Sequence, residues 1–326
     1  MNAPTDSGRT APRPAPDIVT LGEPMVEFNQ TNEGDGRLYL RGFGGDTSNF
    51  AIAAARQGAR AAYVSAVGDD PYGRMLRALW DAEGVDHHGV ATDAGAFTAI
   101  YFVTHGPKGH QFSFFRSGSA ASRMTPATLP RKLIASARVL HLSGISLAIS
   151  ESACDACYAA IEVARLAGSM VSFDTNLRLK LWSLARARAV MNDVIAHCDV
   201  CLPSYDDIMA ITGLGDPDAL VDHCLRLGAK TVALKLGEKG AIVADAASRH
   251  RIEPHPCRPL DATGAGDTFG GAFLARLIAG DTLPEAGRYA ATAAALSTEG
   301  YGAVAPIPTA AQVLAAMHRH DARGPT

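Results

Sequence analysis

Between residues 138 and 236 the chain alternates short apolar runs with amphipathic stretches, and this alternation restricts the fold more than any other feature. The runs at 139–142, 170–174, 200–202 and 232–236 read as strands, and 151–166, 185–196 and 219–227 as helices. Strands joined through helices run parallel, because the crossover returns the chain to the end of the sheet from which it left. Such a sheet is covered by helices on both faces, which predicts an α/β chain with three layers, α/β/α, and a mostly parallel central sheet. Ligands of open α/β sheets sit at the C-terminal strand edge. The loops expected there are polar or glycine-rich: Ser143-Gly144, Asp174-Thr175-Asn176-Leu177-Arg178, Ser204-Tyr205-Asp206-Asp207 and Gly237-Glu238-Lys239-Gly240.

The most chemically pointed stretch is Asp261-Ala262-Thr263-Gly264-Ala265-Gly266-Asp267-Thr268-Phe269, followed by a run of small and apolar residues through Ile278 that reads as a helix packed on the sheet. The first amides of a helix have no intrahelical acceptor and carry partial positive charge, so a glycine turn there favours an anion such as phosphate. Asp267 would repel that anion, unless its task is to accept the proton of an attacking hydroxyl. At the ordinary aspartate pKa of about 3.9 it is expected to be ionised at neutral pH. The plainer alternative is a glycine turn whose Asp267 complements the helix dipole. No Lys follows the glycines as in a Walker A loop, and no G-x-G-x-x-G follows the first strand, which argues against a nicotinamide dehydrogenase.

Upstream, 18–21 reads as the first strand, ending in Gly22-Glu23-Pro24; Glu23 is as suited to a substrate hydroxyl as to the surface. The pieces 25–29 and 38–43 read as a hairpin outside the main alternation, turning through residues 33–36. A second hairpin is expected across 98–115, turning at 106–109 and closed by Arg116; the two would pair into a small sheet. Its aromatic residues Tyr101, Phe102, Phe112, Phe114 and Phe115 suggest a lid or a surface between two copies of the chain. Gly42 to Asn49 lead into a small-residue helix over 50–57, for which Asp46 or Thr47 is the expected N-cap. A helix over 283–298 and a loop over 300–306 that could border a nucleotide complete the chain.

A formal net charge of −3 gives no electrostatic case for nucleic acid or an anionic membrane, and no apolar run is long enough to span a bilayer. Residues 1–16 are rich in Pro, Ala and polar side chains and read as a disordered tail, neither signal peptide nor strand. Cys154/Cys157 and Cys198/Cys201 have C-x-x-C spacing, but no glycine-rich knuckles flank them, so buried, reduced structural thiols in a cytoplasmic protein are expected.

The stretch from Asp261 to Phe269 resembles the C-terminal signature D-T-x-G-A-G-D-x-F of the ribokinase-like (PfkB) sugar kinases. Gly44-Gly45-Asp46-x-x-Asn49 and Gly68-Asp69-Asp70-x-x-Gly73 resemble the N-terminal signature of the same family. The resemblance spans residues 17–320 and implies one ribokinase-like domain with a small β-sheet lid from about 24–43 and 97–117. It implies an anion hole at Gly264, Ala265 and Gly266, a catalytic base at Asp267, and a sugar site lined by Gly44, Gly45, Asp46 and Asn49. Ser204, Lys235, Gly237, Gly240, Gly264 and Gly266 would contact ATP. Where the family often has N-x-x-E as a magnesium and phosphate contact, this chain has Ser204 and Asp207; Asp207 would reach Mg²⁺ through water. A monovalent cation such as K⁺ near the anion hole is a further possibility of the family.

Narrower segments are similar to 2-keto-3-deoxygluconate kinases: residues 41–47, Leu142-Ser143-Gly144-Ile145-Ser146-Leu147-Ala148, and Phe173-Asp174-x-Asn176-x-Arg178 followed by Leu181-Trp182. That resemblance implies a sugar acid whose carboxylate meets Arg116 and Arg178, with Tyr101 as a further contact and Phe114 where relatives can carry Tyr. A guanidinium fork suits a carboxylate. The expected activity is therefore ATP-dependent phosphorylation of the terminal hydroxyl of 2-keto-3-deoxygluconate by a homodimer or higher homo-oligomer. The alternatives are a fructokinase, ribokinase or nucleoside kinase on the same scaffold, and a non-catalytic sugar sensor.

Overall fold

The computed structural model describes residues 14–31, 36–106 and 109–321. Most of the expected N-terminal tail, residues 33–35 of the first hairpin turn, and Pro107 and Lys108 of the second lie outside them. The main sheet begins with β1 (Ile18–Leu21). Two strands of a second sheet follow, β2 (Met25–Gln30) and β3 (Tyr39–Gly44), then α1 (Asp46–Arg56), β4 (Ala61–Gly68), α2 (Pro71–Ala82) and β5 (Asp86–Asp93). The second sheet is completed by β6 (Ile100–Gly106) and β7 (Gly109–Phe115). The predicted alternation is then met by α3 (Arg131–Ser136), β8 (Val139–Ser143), α4 (Gly144–Ala148), α5 (Glu151–Leu166), β9 (Met170–Asp174) and α6 (Leu184–His197). It continues through β10 (Val200–Cys201), α7 (Tyr205–Thr212), α8 (Pro217–Leu227) and β11 (Thr231–Lys235). The chain closes with β12 (Ala241–Asp245), β13 (Arg249–Ile252), α9 (Ala265–Ala279), α10 (Leu283–Ser297) and α11 (Ala310–Asp321).

The nine-stranded sheet has the order β13-β12-β11-β10-β9-β8-β1-β4-β5. The strands from β11 to β5 pair in parallel, and β12 and β13 append an antiparallel hairpin at one edge. From β1 the chain winds outward to β4 and β5, then restarts at β8 on the other side, so the order reverses between β1 and β8. A reversal of this kind opens a crevice at the carboxyl ends of the strands. One core, with Phe173, Ile161, Met191 and Val221, fills the face under α5, α6 and α8; a second, with Phe50, Phe273, Leu274 and Tyr289, fills the face under α1, α9 and α10. The smaller sheet has the order β3-β2-β6-β7: β2 pairs with β3 and β6 with β7 in antiparallel hairpins, and the hairpins join through a parallel β2–β6 contact. Its two hairpins are those expected from the sequence. Strand alternation places Phe112 and Phe114 beside Tyr101 on one face, and Phe115 against Phe102 on the other.

The helix over 50–57 starts four residues earlier than expected, and its cap is neither Asp46 nor Thr47. Gly45 holds that position at φ +101, where an added Cβ would stand 2.4 Å from the Glu23 carbonyl oxygen. Only glycine fits both the torsion and the space. The Asp46 side chain is thereby released from capping and becomes part of the cleft.

Candidate functional site

The cleft has a polar half and a half walled by apolar residues, and α9 enters between them. Gly264 is the N-cap of α9 at φ +76, packed against the 300–306 loop. Ala265 donates its amide to the Ala262 carbonyl at 3.2 Å, and Thr268 donates to the Gly264 carbonyl at 2.9 Å. The amides of Gly264, Gly266 and Asp267 have no acceptor among the described residues, so the open donors differ from the expected set in that Ala265 is engaged and Asp267 is not. Asp261 ties the turn together: its Oδ1 accepts from the Thr263 amide at 2.9 Å and its Oδ2 from the Gly302 amide at 2.9 Å. The 300–306 loop therefore buttresses the turn from behind rather than lining the apolar-walled half.

On the polar side, Asn49 Nδ2 donates to Asp267 Oδ2 at 2.9 Å, and Asn176 Nδ2 donates to Asp46 Oδ2 at 3.0 Å. Asn176 is the only non-glycine residue with positive φ among the described residues, at +31, and its amide donates to Asp174 Oδ1 at 3.2 Å. Asp46 Oδ1 and Asn49 Oδ1 are buried and receive no hydrogen bond. Buried acceptors without donors are costly, so two of them facing one cleft match a ligand that brings hydroxyl groups. Burial, reinforced by the charges of Asp46 and Asp174, pushes Asp267 up to about 8, while the Asn49 hydrogen bond and the Lys235 ammonium oppose the shift. Burial and the neighbouring carboxylates thus favour the protonated form of Asp267 in the free protein, against the ionised form expected from the sequence.

The other half is a cavity of about 760 Å³. Of the residues expected to contact ATP, Ser204, Lys235, Gly237, Gly240 and Gly266 line it, with Ala265 beside them, and Gly264 does not. An apolar wall missed in the sequence completes it, made by Pro254, Pro256, Pro259, Phe269, Ala291 and Ala294. The alternating prolines at 254–259 were the available signal, since they force an extended strap across the mouth. An apolar slot ending at a helix N-terminus has the layout of a site for an aromatic base carrying phosphates.

The remaining expected residues divide. Gly44 leaves space for Tyr101, whose hydroxyl would lie 2.5 Å from an added Cβ and which donates to the buried Glu27 at 2.5 Å. Phe114 lies tilted beside Tyr101 with ring centres 5.5 Å apart. Arg116 is not free: its Nη2 lies 2.5 Å from Oε2 of Glu23, a carboxylate that also accepts from Ser119 Oγ at 2.7 Å and whose side chain is fully enclosed. Burial pushes the Glu23 carboxyl up and the Arg116 guanidinium holds it down, so the two are best understood as one neutral unit. Arg178 follows Asn176 by two residues; its Nη1 donates to the Leu177 carbonyl at 2.8 Å and no carboxylate pairs with it among the described residues. Asp207 Oδ2 accepts from Thr175 Oγ1 at 3.2 Å and the Leu177 amide at 3.1 Å, fixing the loop after β9. Asp174 and Asn176, which the site assignment from sequence omitted, emerge at the centre of the cleft. Five of the six cysteines are buried, all are free thiols, and no helix among the described residues is long and apolar enough to cross a membrane.

The chain is 35% identical over 314 residues to Fructokinase-1 of Oryza sativa subsp. japonica, covering 92% of this chain and 97% of that protein. It is 35% identical over 307 residues to 2-dehydro-3-deoxygluconokinase of Thermoproteus tenax, covering 91% and 93%. Several further relatives carry the fructokinase name. Among solved structures it superposes on a putative ribokinase II from E. coli in complex with ATP and Mg²⁺, with a TM-score of 0.86 at 25% identity over 94% of this chain and all of that one. Residues 15–310 match the pfkB family carbohydrate kinase, and the chain belongs to that family of sugar kinases.

Proposed function

We propose that the enzyme transfers the γ-phosphoryl group of ATP to the terminal hydroxyl of a 2-keto-3-deoxy sugar acid, with 2-keto-3-deoxygluconate as the preferred acceptor. The observation that supports an acid is Arg178, a guanidinium at the carboxyl end of β9 with no carboxylate partner among the described residues. Arg116 is a weaker candidate than the sequence suggested, because Glu23 already neutralises it. Its buried Nε, which has no acceptor, still leaves one donor for a substrate oxygen. A neutral ketose such as fructose is the second reading; the neutral Glu23–Arg116 unit supports it, and the relatives lean toward it. Steady-state ATP consumption across keto acids, ketoses, aldoses and nucleosides separates the two. A kcat/KM for fructose equal to or above that for the best sugar acid would overturn the acid assignment.

Arg178→Ala should lower kcat/KM for the sugar acid by about 1.5–3 kcal/mol, the cost of losing a charged hydrogen bond, and leave ATP affinity unchanged. Arg116→Ala should do something different: it strands the enclosed Glu23 carboxylate and should destabilise the fold by roughly 3–5 kcal/mol, visible as a lower denaturant midpoint. An Arg116→Ala protein with wild-type stability would show that the pair does not hold the lid to β1.

Magnesium arrives with the ATP phosphates and needs only one or two protein carboxylates, so Asp207 suits it through Oδ1 and a water. When bound, the ion offsets phosphate charge. A monovalent cation such as K⁺ beside the anion hole, cytoplasmic residence where ATP is supplied, and a homodimer complete the proposal. For the dimer, Leu38, Leu40, Phe112 and Phe115 are 52%, 65%, 43% and 55% exposed on the lid. A second copy packed on one face of the lid would cover those that share that face. Sedimentation of a monomer at micromolar concentration would exclude it.

A further inference from the structure

Lys235 and Asp174 close the ends of β11 and β9 and form an ion pair between the two halves of the cleft, with side chains 12% and 6% exposed. The family resemblance implies an ATP contact for Lys235 but no role for its pairing with Asp174. Lys235 Nζ stands 3.5 Å from the place of a Cβ on Gly266, so the ammonium and the open amides of α9 face one small volume. It is also the one lysine or arginine among the residues lining the 760 Å³ cavity, which includes the acids Asp206 and Glu238. Among the lining residues, a triphosphate in that cavity would meet no other lysine or arginine. On the polar side the ammonium pairs with Asp174 and also acts on Asp267, which feels the charges of Asp46 and Asp174 as well.

A cation buried between a carboxylate and an anion site can exchange one partner for the other without crossing water, which keeps its interaction strong at either place. We propose that Lys235 is a catalytic residue: its ammonium leaves Asp174 for the γ-phosphoryl oxygens of ATP and stays with them through transfer, and Asp174 is the positioning residue that holds it between turnovers. In that step the acceptor hydroxyl oxygen forms the new bond to phosphorus. The bond from γ-phosphorus to the β–γ bridging oxygen breaks, its electron pair leaves on ADP, and the hydroxyl proton passes to Asp267. Lys235 keeps its own proton throughout. The strand positions explain why the pair escapes notice in the sequence: the two residues are 61 apart and meet only because β9 and β11 flank the short β10.

The competing explanation is that Lys235 merely neutralises a buried carboxylate, and the two make opposite predictions. The proposal rests on the kinase reading, which wild-type ATP consumption in the same assay checks separately. Lys235→Met should lower kcat by about 10²-fold or more, as loss of a fixed charge on a transferring phosphoryl group does. It should weaken ATP binding and leave ADP binding nearly unchanged, because only ATP carries the γ-group. The double variant Lys235→Met/Asp174→Asn removes both charges, keeps the Asp174 acceptor for the Asn176 amide, and carries the test if the single variant fails to fold. A double variant as slow as the single one supports the proposal. Recovery of wild-type kcat in the double variant, or equal loss of ATP and ADP affinity in either, would overturn it.

Discussion

Asp267→Asn is expected to reduce turnover by roughly 10²–10⁴, the range of a lost general base, with little change in ATP or sugar affinity. The amide keeps the shape and can still meet Asn49, so binding geometry survives and only proton acceptance is removed. The raised carboxyl of the free enzyme adds a pH signature. The base must be ionised, and its pKa stands at about 8, so kcat/KM at low concentrations of both substrates should rise with pH up to about 8. Below that pH it should fall about tenfold per unit, and Asp267→Asn should lack this limb. Stability should respond in the opposite sense. With a folded pKa above its unfolded value, Asp267 favours the fold below about pH 4 and loses that contribution as pH rises through about 8. Asp267→Asn should therefore raise Tm at pH 9 by at least about 2 °C, for a gain of about 1 kcal/mol, and much less at pH 4. An inactive variant that melts earlier at every pH would show damage to the fold rather than loss of a base. A variant that turns over like the wild type would return the glycine turn to a merely capped helix.

That carboxyl also marks where the sequence stops being informative. The residue type, the glycines before it and the helix after it were all legible, because each acts through local backbone geometry. Its protonation was not, because the carboxyls of Asp46 and Asp174 reach it from α1 and β9 only in the folded chain. The buried parallel strands were legible for a similar reason: mostly buried along their length, β8, β9 and β11 are short runs with an apolar majority. The edge strand β5, Asp-His-His-Gly-Val-Ala-Thr-Asp, carries only two buried residues and gave no such run. Arg116 shows the converse limit. The resemblance to sugar-acid kinases suggested a carboxylate clamp at Arg116, but Glu23 lies 93 residues away in sequence and within ion-pair distance in space. Composition cannot distinguish a cation awaiting a ligand from one already matched.

Gly264→Ala should lower kcat by about 10²–10³, comparable to removing a donor from an oxyanion hole, because it moves the turn that aims the open amides. Two effects act at this position. The left-handed torsion, φ +76, costs a residue with a Cβ roughly 1–2 kcal/mol. The Cβ itself would stand 2.9 Å from the Ala303 carbonyl oxygen and 3.0 Å from its Cα, and backbone there cannot swing aside as a side-chain tip could. The turn must shift, and Asp261, which holds both Thr263 and Gly302, transmits the shift to the 300–306 loop. The other end of α9 supplies the control. Gly280 is also left-handed, at φ +102, but nothing lies within 4 Å of its Cβ position. Gly280→Ala should thus cost a similar 1–2 kcal/mol or so of stability and leave kcat unchanged. The apolar wall of the cavity is made by 254–259 and α10, so Gly264→Ala should still bind adenosine as the wild type does. Equal kcat losses in the two variants would mean that helix stability, not amide placement, limits turnover; a Gly264→Ala enzyme of normal kcat would mean that the phosphoryl group is held elsewhere than at this turn.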